Sequence, residues 1–435
     1  MTRTTQYIRR ALPILIVVSL VLGTGARDEA HAGDHTTEPS LVLPDLIQEA
    51  LAKNPELLAA RQQWEAASRR IVKARALDDP TLSVHWWNFP QSFNVGRADN
   101  TIIGLSQKFP FPGKLTLREE VASHSAGITE QALRIKERDL VARVKSAYYD
   151  LFLDDKAIQI HHEQIELLRQ FVEIATVKFR AGTATQVDVL KAQVELSTLH
   201  QELPVLRQRR DTSQAMLNQL LDRDPQLPLA PPQPPREGRF EQDLEALYGV
   251  ATTARPELKA AALEIQRNER SQALARRQYY PDFDVTFQRF HNVQANDGFG
   301  AYVAMNLPFA FWTKPKYDAA VQEAAAGIAA ARADRHALEN MTRFQIQDLL
   351  AKVRANWEVA VLYKTTVLPQ AEQSVAAARV GYRAGRSGFL DLIEADRAWR
   401  GFQLEYYRVL VEREHRFAEL EQVVGADLNG TNQNL

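Results

Sequence analysis

The chain has 435 residues, of which 25% are charged and 45% hydrophobic, and its formal net charge is −1 at pH 7. That balance excludes the basic footprint of a nucleic-acid-binding protein. Having no cysteine, the chain can carry no disulfide framework, thiolate metal site, cysteine nucleophile or cysteine-borne lipid anchor.

The first residues read as an export signal. Arg3, Arg9 and Arg10 precede an apolar run from Ala11 to Gly23 that is too short to span a bilayer. Ala30-His31-Ala32 follows with small residues at cleavage-site spacing. This predicts a signal over 1–32 and a mature start at Gly33, with Thr24-Gly25-Ala26 as a competing site. No later stretch offers about 18 uninterrupted apolar residues. The mature chain is therefore expected either to be soluble outside the cytoplasm or to form a β-barrel.

The remainder is one unit written twice. Asn54-Pro55-Glu56-Leu57 returns as Arg255-Pro256-Glu257-Leu258, and Asp79-Pro80 as Tyr280-Pro281. Phe109-Pro110-Phe111 returns as Leu307-Pro308-Phe309. Lys178-Phe179-Arg180-Ala181-Gly182 returns as Gly381-Tyr382-Arg383-Ala384-Gly385, and Val187-Asp188-Val189-Leu190 as Leu390-Asp391-Leu392-Ile393. The constant order sets the architecture. The first copy is expected over 33–223 and the second over 241–425. Between them lies a proline-rich linker over 224–240, which cannot be helical. A flexible tail is expected over 426–435.

Each copy reads helix, strand pair, very long helix, turn, return helix. In the first, Asp45 to Leu77 has helical composition, and strands are expected within 80–110. From Lys114 to Ala181 there is no proline, and Leu133, Leu140, Val144, Ala147, Leu151, Ile158, Ile165, Leu168, Val172, Ala175 and Phe179 recur at heptad spacing. That predicts a helix over 114–181, roughly 100 Å long at 1.5 Å per residue, ended by Gly182. A return helix follows over 186–222. In the second copy the hairpin is expected over 281–309, the long helix over 316–384 and the return helix over 389–424.

The strands alternate strictly. Leu82, Val84 and Trp86 alternate with Ser83 and His85; Ile103, Leu105 and Phe109 with Gly104, Ser106 and Lys108. Phe283, Val285 and Phe287 alternate with Asp284 and Thr286; Ala301, Val303, Met305 and Leu307 with Tyr302, Ala304 and Asn306. Trp86, Trp87, Phe89, Phe109, Phe111, Tyr279, Tyr280, Phe309, Phe311 and Trp312 crowd the strand ends. One lipid face, one wet face and aromatic girdles are what a membrane barrel needs. Four strands cannot close a barrel, and open edges in lipid cost several kcal/mol per unpaired group. Copies must therefore share one barrel, and three would supply twelve strands. The alternative is a periplasmic coiled-coil scaffold without a pore.

The paired tips and the Pro110-Phe111-Pro112-Gly113-Lys114 turn carry a resemblance. The chain from about Leu43 to Val424 resembles the TolC-like outer-membrane efflux protein family, and the turn resembles its heavy-metal resistance branch. The resemblance implies a mainly α homotrimer with a transmembrane β-barrel in the outer-membrane lipid, continued by a periplasmic α-helical barrel that closes at the helix tips. It implies a periplasmic adaptor and an inner-membrane efflux pump as partners, and no cofactor. It places adaptor docking at Arg180, Ala181, Gly182, Arg383, Ala384 and Gly385. By position, Asp391 and Glu394 match the family's acidic constriction, and Asp188 with Tyr382 fits a latch between helices. Arg383 and Arg386 are further candidates for pairing with carboxylates there.

No HExxH, Cys/His cluster, Walker loop or nucleophile elbow is present, so no enzymatic chemistry is expected. His161 and His162 are neighbours on a helix and point about 100° apart. With His124 and His336 they are expected to be solvated surface residues.

Overall fold

The computed structural model describes residues 41–88, 91, 94–292 and 296–428. The expected signal over 1–32, the girdle residue Phe89 and residues 429–435 lie outside these. The first copy contains α1 (Leu43–Lys53), α2 (Pro55–Arg75), β1 (Thr81–Trp87), β2 (Asn100–Phe109), α3 (Lys114–Arg180) and α4 (Gln186–Leu220). The second contains α5 (Leu244–Ala254), α6 (Pro256–Arg277), β3 (Phe283–Asn292), β4 (Gly298–Met305), α7 (Lys314–Leu362), α8 (Leu368–Arg383) and α9 (Phe389–Val424).

Two helices read as continuous are broken. The first divides at Asn54-Pro55, because proline is excluded from a helix interior but fits a first turn. Asn54 caps the new start by accepting from Glu56 N at 3.0 Å and Leu57 N at 3.3 Å. The helix expected over 316–384 contains a π-turn at Tyr363–Val367, immediately before Leu368 and Pro369. Proline supplies no N–H and crowds the carbonyl four residues back, and a wider turn accommodates both.

Most of the heptad seam is buried: Leu140, Val144, Leu151, Leu168 and Ala175 lie at or near zero exposure. Phe179, the last seam position, is exposed near the tip. Tyr148, Phe152 and Phe171 join the seam in the interior. At about 1.5–3 kcal/mol per fully buried large side chain, these stripes hold the helices together. The core therefore runs along the helix bundle in separate clusters, one around α1, α3 and the end of α4, another at the tips among α3, α4, α8 and α9.

The proline-rich segment is docked rather than loose. Tyr148 Oη accepts from Gln233 N at 2.7 Å and donates to Leu41 O at 2.9 Å, and Leu41 forms a bridge with Pro232. The start of the expected tail is also packed: Leu428 is buried beside Val424. This apolar side chain, three residues after the Gly425 cap, folds back onto the helix it follows.

The strands form one antiparallel sheet in the order β1-β2-β3-β4. Its register places Leu82 opposite Leu105, Leu105 opposite Phe287, and Phe287 opposite Ala301. The four alternations thus fall on the same side. That side is uncovered: Leu82 is 68% exposed, Val303 65% and Phe299 73%. The other side is polar and crowded. A Cβ on Gly104 would meet Ser83 Oγ at 2.9 Å and Gln288 Cγ at 3.3 Å, so a larger residue there would have to push those side chains aside. Among the described residues the outer edges of β1 and β4 have no partner strand.

At the joint between sheet and helices, Lys114 Nζ donates to Asp282 Oδ1 at 2.7 Å and Tyr280 O at 2.8 Å. Asp282 also accepts from Phe111 N at 2.9 Å. Phe111 stacks on Tyr280 at 4.6 Å, with Arg277 over both rings. Gly113, at φ +89°, lets the turn approach the Arg277 guanidinium. One copy's turn is thereby locked onto the other copy's corner.

Candidate functional site at the helix tips

Both tips end in the same hydrogen-bonded reversal. Thr183 N bonds Lys178 O at 2.9 Å, and Arg386 N bonds Gly381 O at 2.8 Å. Gly182 and Gly385 sit at φ +71° and +72°. A left-handed residue is required there, and a side chain would strain it. Arg180, Ala181, Gly182, Arg383, Ala384 and Gly385 are all exposed. Among the described residues neither Arg383 nor Arg386 forms an ion pair within the chain.

The return helices start with matching carboxylates. Asp188 Oδ2 accepts from Thr185 N at 3.1 Å while Thr185 Oγ1 accepts from Asp188 N at 3.3 Å. Asp391 Oδ2 accepts from Gly388 N at 2.9 Å. Each aspartate spends one oxygen on its own helix start. Asp391 and Glu394 are exposed, while Leu392, Ile393 and Asp396 on the same helix are buried. The two acids therefore share the face that α9 leaves free.

Tyr382 is buried in the tip core and packs against Phe389 at 5.4 Å. Among the described residues its hydroxyl has no hydrogen-bond partner. Burial pushes its pKa up, and the nearby Asp188 charge adds to the shift. Sequence reasoning overlooked Lys178, whose ammonium lies 4.5 Å over the Tyr382 ring and donates to Tyr382 O. It fastens the first tip to the second, and a lone lysine in a helical stretch carries no signal of that role.

A buried polar cluster sits on the helix side of the tips. Gln164, with its amide nitrogen turned inward, donates to Asp396 Oδ1 at 3.0 Å and Oδ2 at 3.3 Å. Glu195 is held by Arg397 and lies 3.8 Å from Arg400. His161, expected on the surface, is 4% exposed, with Nε2 2.7 Å from Glu202 Oε2. The helical pitch that buries Ile165 and Leu168, four and seven residues further on, turns His161 inward as well, so this polar residue on the buried stripe needs a partner. Burial raises the Asp396 pKa to about 6, against the pull of Arg400.

A raised carboxyl pKa means the folded state holds its proton more tightly. The charged form of Asp396 therefore costs stability above about pH 6, and the cost disappears as pH falls towards the ordinary aspartate value. Asp396→Asn should abolish a stability change of up to about 3 kcal/mol between roughly pH 4 and 6. Melting temperatures of the detergent-solubilised protein across that range check this. Parallel pH profiles for variant and wild type would contradict it.

Among the described residues no group of three or more His, Cys, Asp or Glu is arranged to hold a metal ion. No described helix is long and apolar enough to cross a membrane. An antiparallel sheet with an uncovered apolar face, carried on a 67-residue helix, defines the class: a protomer of an outer-membrane channel with a long helical extension. The model for the outer membrane efflux protein family matches twice, over residues 46–223 and 247–426, once per copy. The chain belongs to that family and is an outer-membrane efflux channel subunit. It is 23% identical over 402 residues to the cobalt-zinc-cadmium resistance protein CzcC of Cupriavidus metallidurans, covering 91% of each. Its fold is that of the outer-membrane channel OprN (TM-score 0.75, 16% identity, 88% of this chain and 90% of that one). The outer membrane protein VceC of Vibrio cholerae shares it too (TM-score 0.73, 18% identity, 88% and 96%).

Proposed function

We propose that three copies of this chain form a twelve-stranded barrel in outer-membrane lipid, continued by a helical barrel across the periplasm. The assembly is the passive exit duct of a tripartite efflux system. An adaptor docks on the tips at Arg180–Gly182 and Arg383–Gly385, and an inner-membrane pump supplies the energy. The observation that supports this reading is the sheet: among the described residues its β1 and β4 edges are open and its apolar face is uncovered, as strands that share a barrel with further copies in lipid would be. Divalent heavy-metal ions are the proposed cargo, supported by the likeness to CzcC along 91% of both chains. Deleting the gene should sensitise cells to such ions, and the protein should fractionate as a heat-modifiable outer-membrane oligomer. A soluble periplasmic protein, as the scaffold alternative demands, would refute the duct; unchanged metal tolerance would refute only the cargo.

The closed state rests on the tips. Asp391 and Glu394 ring the axis as the constriction, and Asp188 with Tyr382 latches neighbouring helices. Its support is the Tyr382 hydroxyl, buried and without a partner among the described residues, while Asp188 keeps one oxygen free of its own cap. Tyr382→Phe combined with Asp188→Ala should raise the resting conductance in planar bilayers by several-fold. A double variant that conducts like wild type removes the latch.

A further inference from the structure

The two copies present equivalent turns and corners, and among the described residues one such pair is satisfied within the chain. The β2–α3 turn, Pro110–Lys114, packs on the α6–β3 corner through the Phe111–Tyr280 stack and the Lys114–Asp282 ion pair. Its counterpart is the β4–α7 turn, Pro308–Lys314. There Phe309, Phe311 and Trp312 are 63%, 83% and 70% exposed. The corner that this turn would need by repeat symmetry is the α2–β1 corner, Arg75–Thr81. In this chain that corner lies at the opposite edge of the sheet, three strands from β4, roughly 14 Å away at the usual strand spacing. Gln107 Nε2 donates to its Asp78 O at 2.8 Å, but its side chains are uncovered: Leu77 is 46% exposed, and Asp78 and Asp79 are exposed.

The charges match as they do inside the chain. The satisfied joint sets a lysine of the turn against an aspartate of the corner. The free turn offers Lys316 and also Lys314, whose ammonium lies 2.8 Å from Asp318 Oδ2 on its own helix, and the free corner offers Asp78 and Asp79, moved back a few residues from the position of Asp282 in the other copy. We infer that the Pro308–Lys316 turn docks on the Arg75–Thr81 corner of a second copy of this chain, with Lys314 and Lys316 facing Asp78 and Asp79 and the Phe311 and Trp312 rings covering Leu77. The contact is head-to-tail, so it repeats around a ring until the ring closes. It gives each protomer boundary a charged clasp at the membrane edge, homologous to the joint within each protomer. The inference rests on the proposed assembly of copies.

The test is charge reversal with rescue. Lys314→Glu with Lys316→Glu should weaken the detergent-solubilised oligomer at least tenfold in dissociation, read by sedimentation velocity. Adding Asp78→Lys and Asp79→Lys should restore it, which a merely misfolded variant would not do. Because the natural chain has no cysteine, Leu77→Cys with Trp312→Cys should give oxidised dimers and larger ladders on denaturing gels. An oligomeric wild type whose reversal variant stays assembled, or whose cysteine pair fails to cross-link, overturns the clasp and leaves the assembly standing. A monomeric wild type overturns both.

Discussion

Asp282→Ala is expected to destabilise the protein by about 3–5 kcal/mol, the usual cost of leaving one member of a buried ion pair alone. The side chain of Lys114 is 4% exposed and that of Asp282 16%, so the orphaned ammonium could not reach water without opening the joint. Tyr280 O would remain as one acceptor, which keeps the loss towards the lower end. The damage should be concentrated where sheet meets helices, because Asp282 also holds Phe111 N and thereby the turn that enters α3. Replacing both partners by apolar residues, Lys114→Met with Asp282→Leu, should recover much of the loss, since the penalty belongs to the unpaired charge. Thermal unfolding of the purified protein in detergent measures both. A single variant melting within a degree or two of wild type would show that the joint is held by the Phe111–Tyr280 stack instead.

Changing Asp391 and Glu394 together to alanine should erase most of the channel's cation preference. With three copies, six carboxylates would surround one axis. At about 8 Å in water each contributes about 0.5 kcal/mol to a monovalent cation on the axis, about 3 kcal/mol together. Physiological salt screens this about threefold, to roughly 1 kcal/mol; an anion is repelled by as much, so the difference of about 2 kcal/mol favours cations over anions roughly thirtyfold. Reversal potentials across a salt gradient in planar bilayers read it directly. The double variant should shift towards the non-selective value, and an unshifted potential would take these residues out of the filter. The fold should tolerate the change: Glu394 is exposed, and loss of the Asp391 cap costs about 1 kcal/mol.

Legibility followed periodicity. The heptad from Leu133 to Ala175 and the alternation from Leu82 to Met305 announced long helices and membrane strands, because both patterns are local and repeat many times. The tip reversals were legible because Gly182 and Gly385 alone tolerate the left-handed conformation. What escaped was set by single residues whose partners are remote in sequence. His161 reads like any surface histidine until α4 brings Glu202 to 2.7 Å. Lys178 and Tyr382 are 204 residues apart and meet only when the two tips pack. Tyr148 pins the proline-rich linker, a contact that its composition does not announce.

The residues by themselves determined the duplication, the element types, the glycine-capped tips and the amphipathic strands, because each depends on backbone sterics or on a period the chain repeats. Only the tertiary structure decided that the four alternations share one face, that Lys114 is buried against Asp282, and that Asp396 sits among arginines with its proton held more tightly. Those outcomes depend on register and on the packing of one copy against the other. A strand slipped by one residue would keep the same pattern and turn its apolar side inward. The duplication is written in the sequence, but which copy's turn is satisfied inside the chain and which faces outward is decided by the strand order.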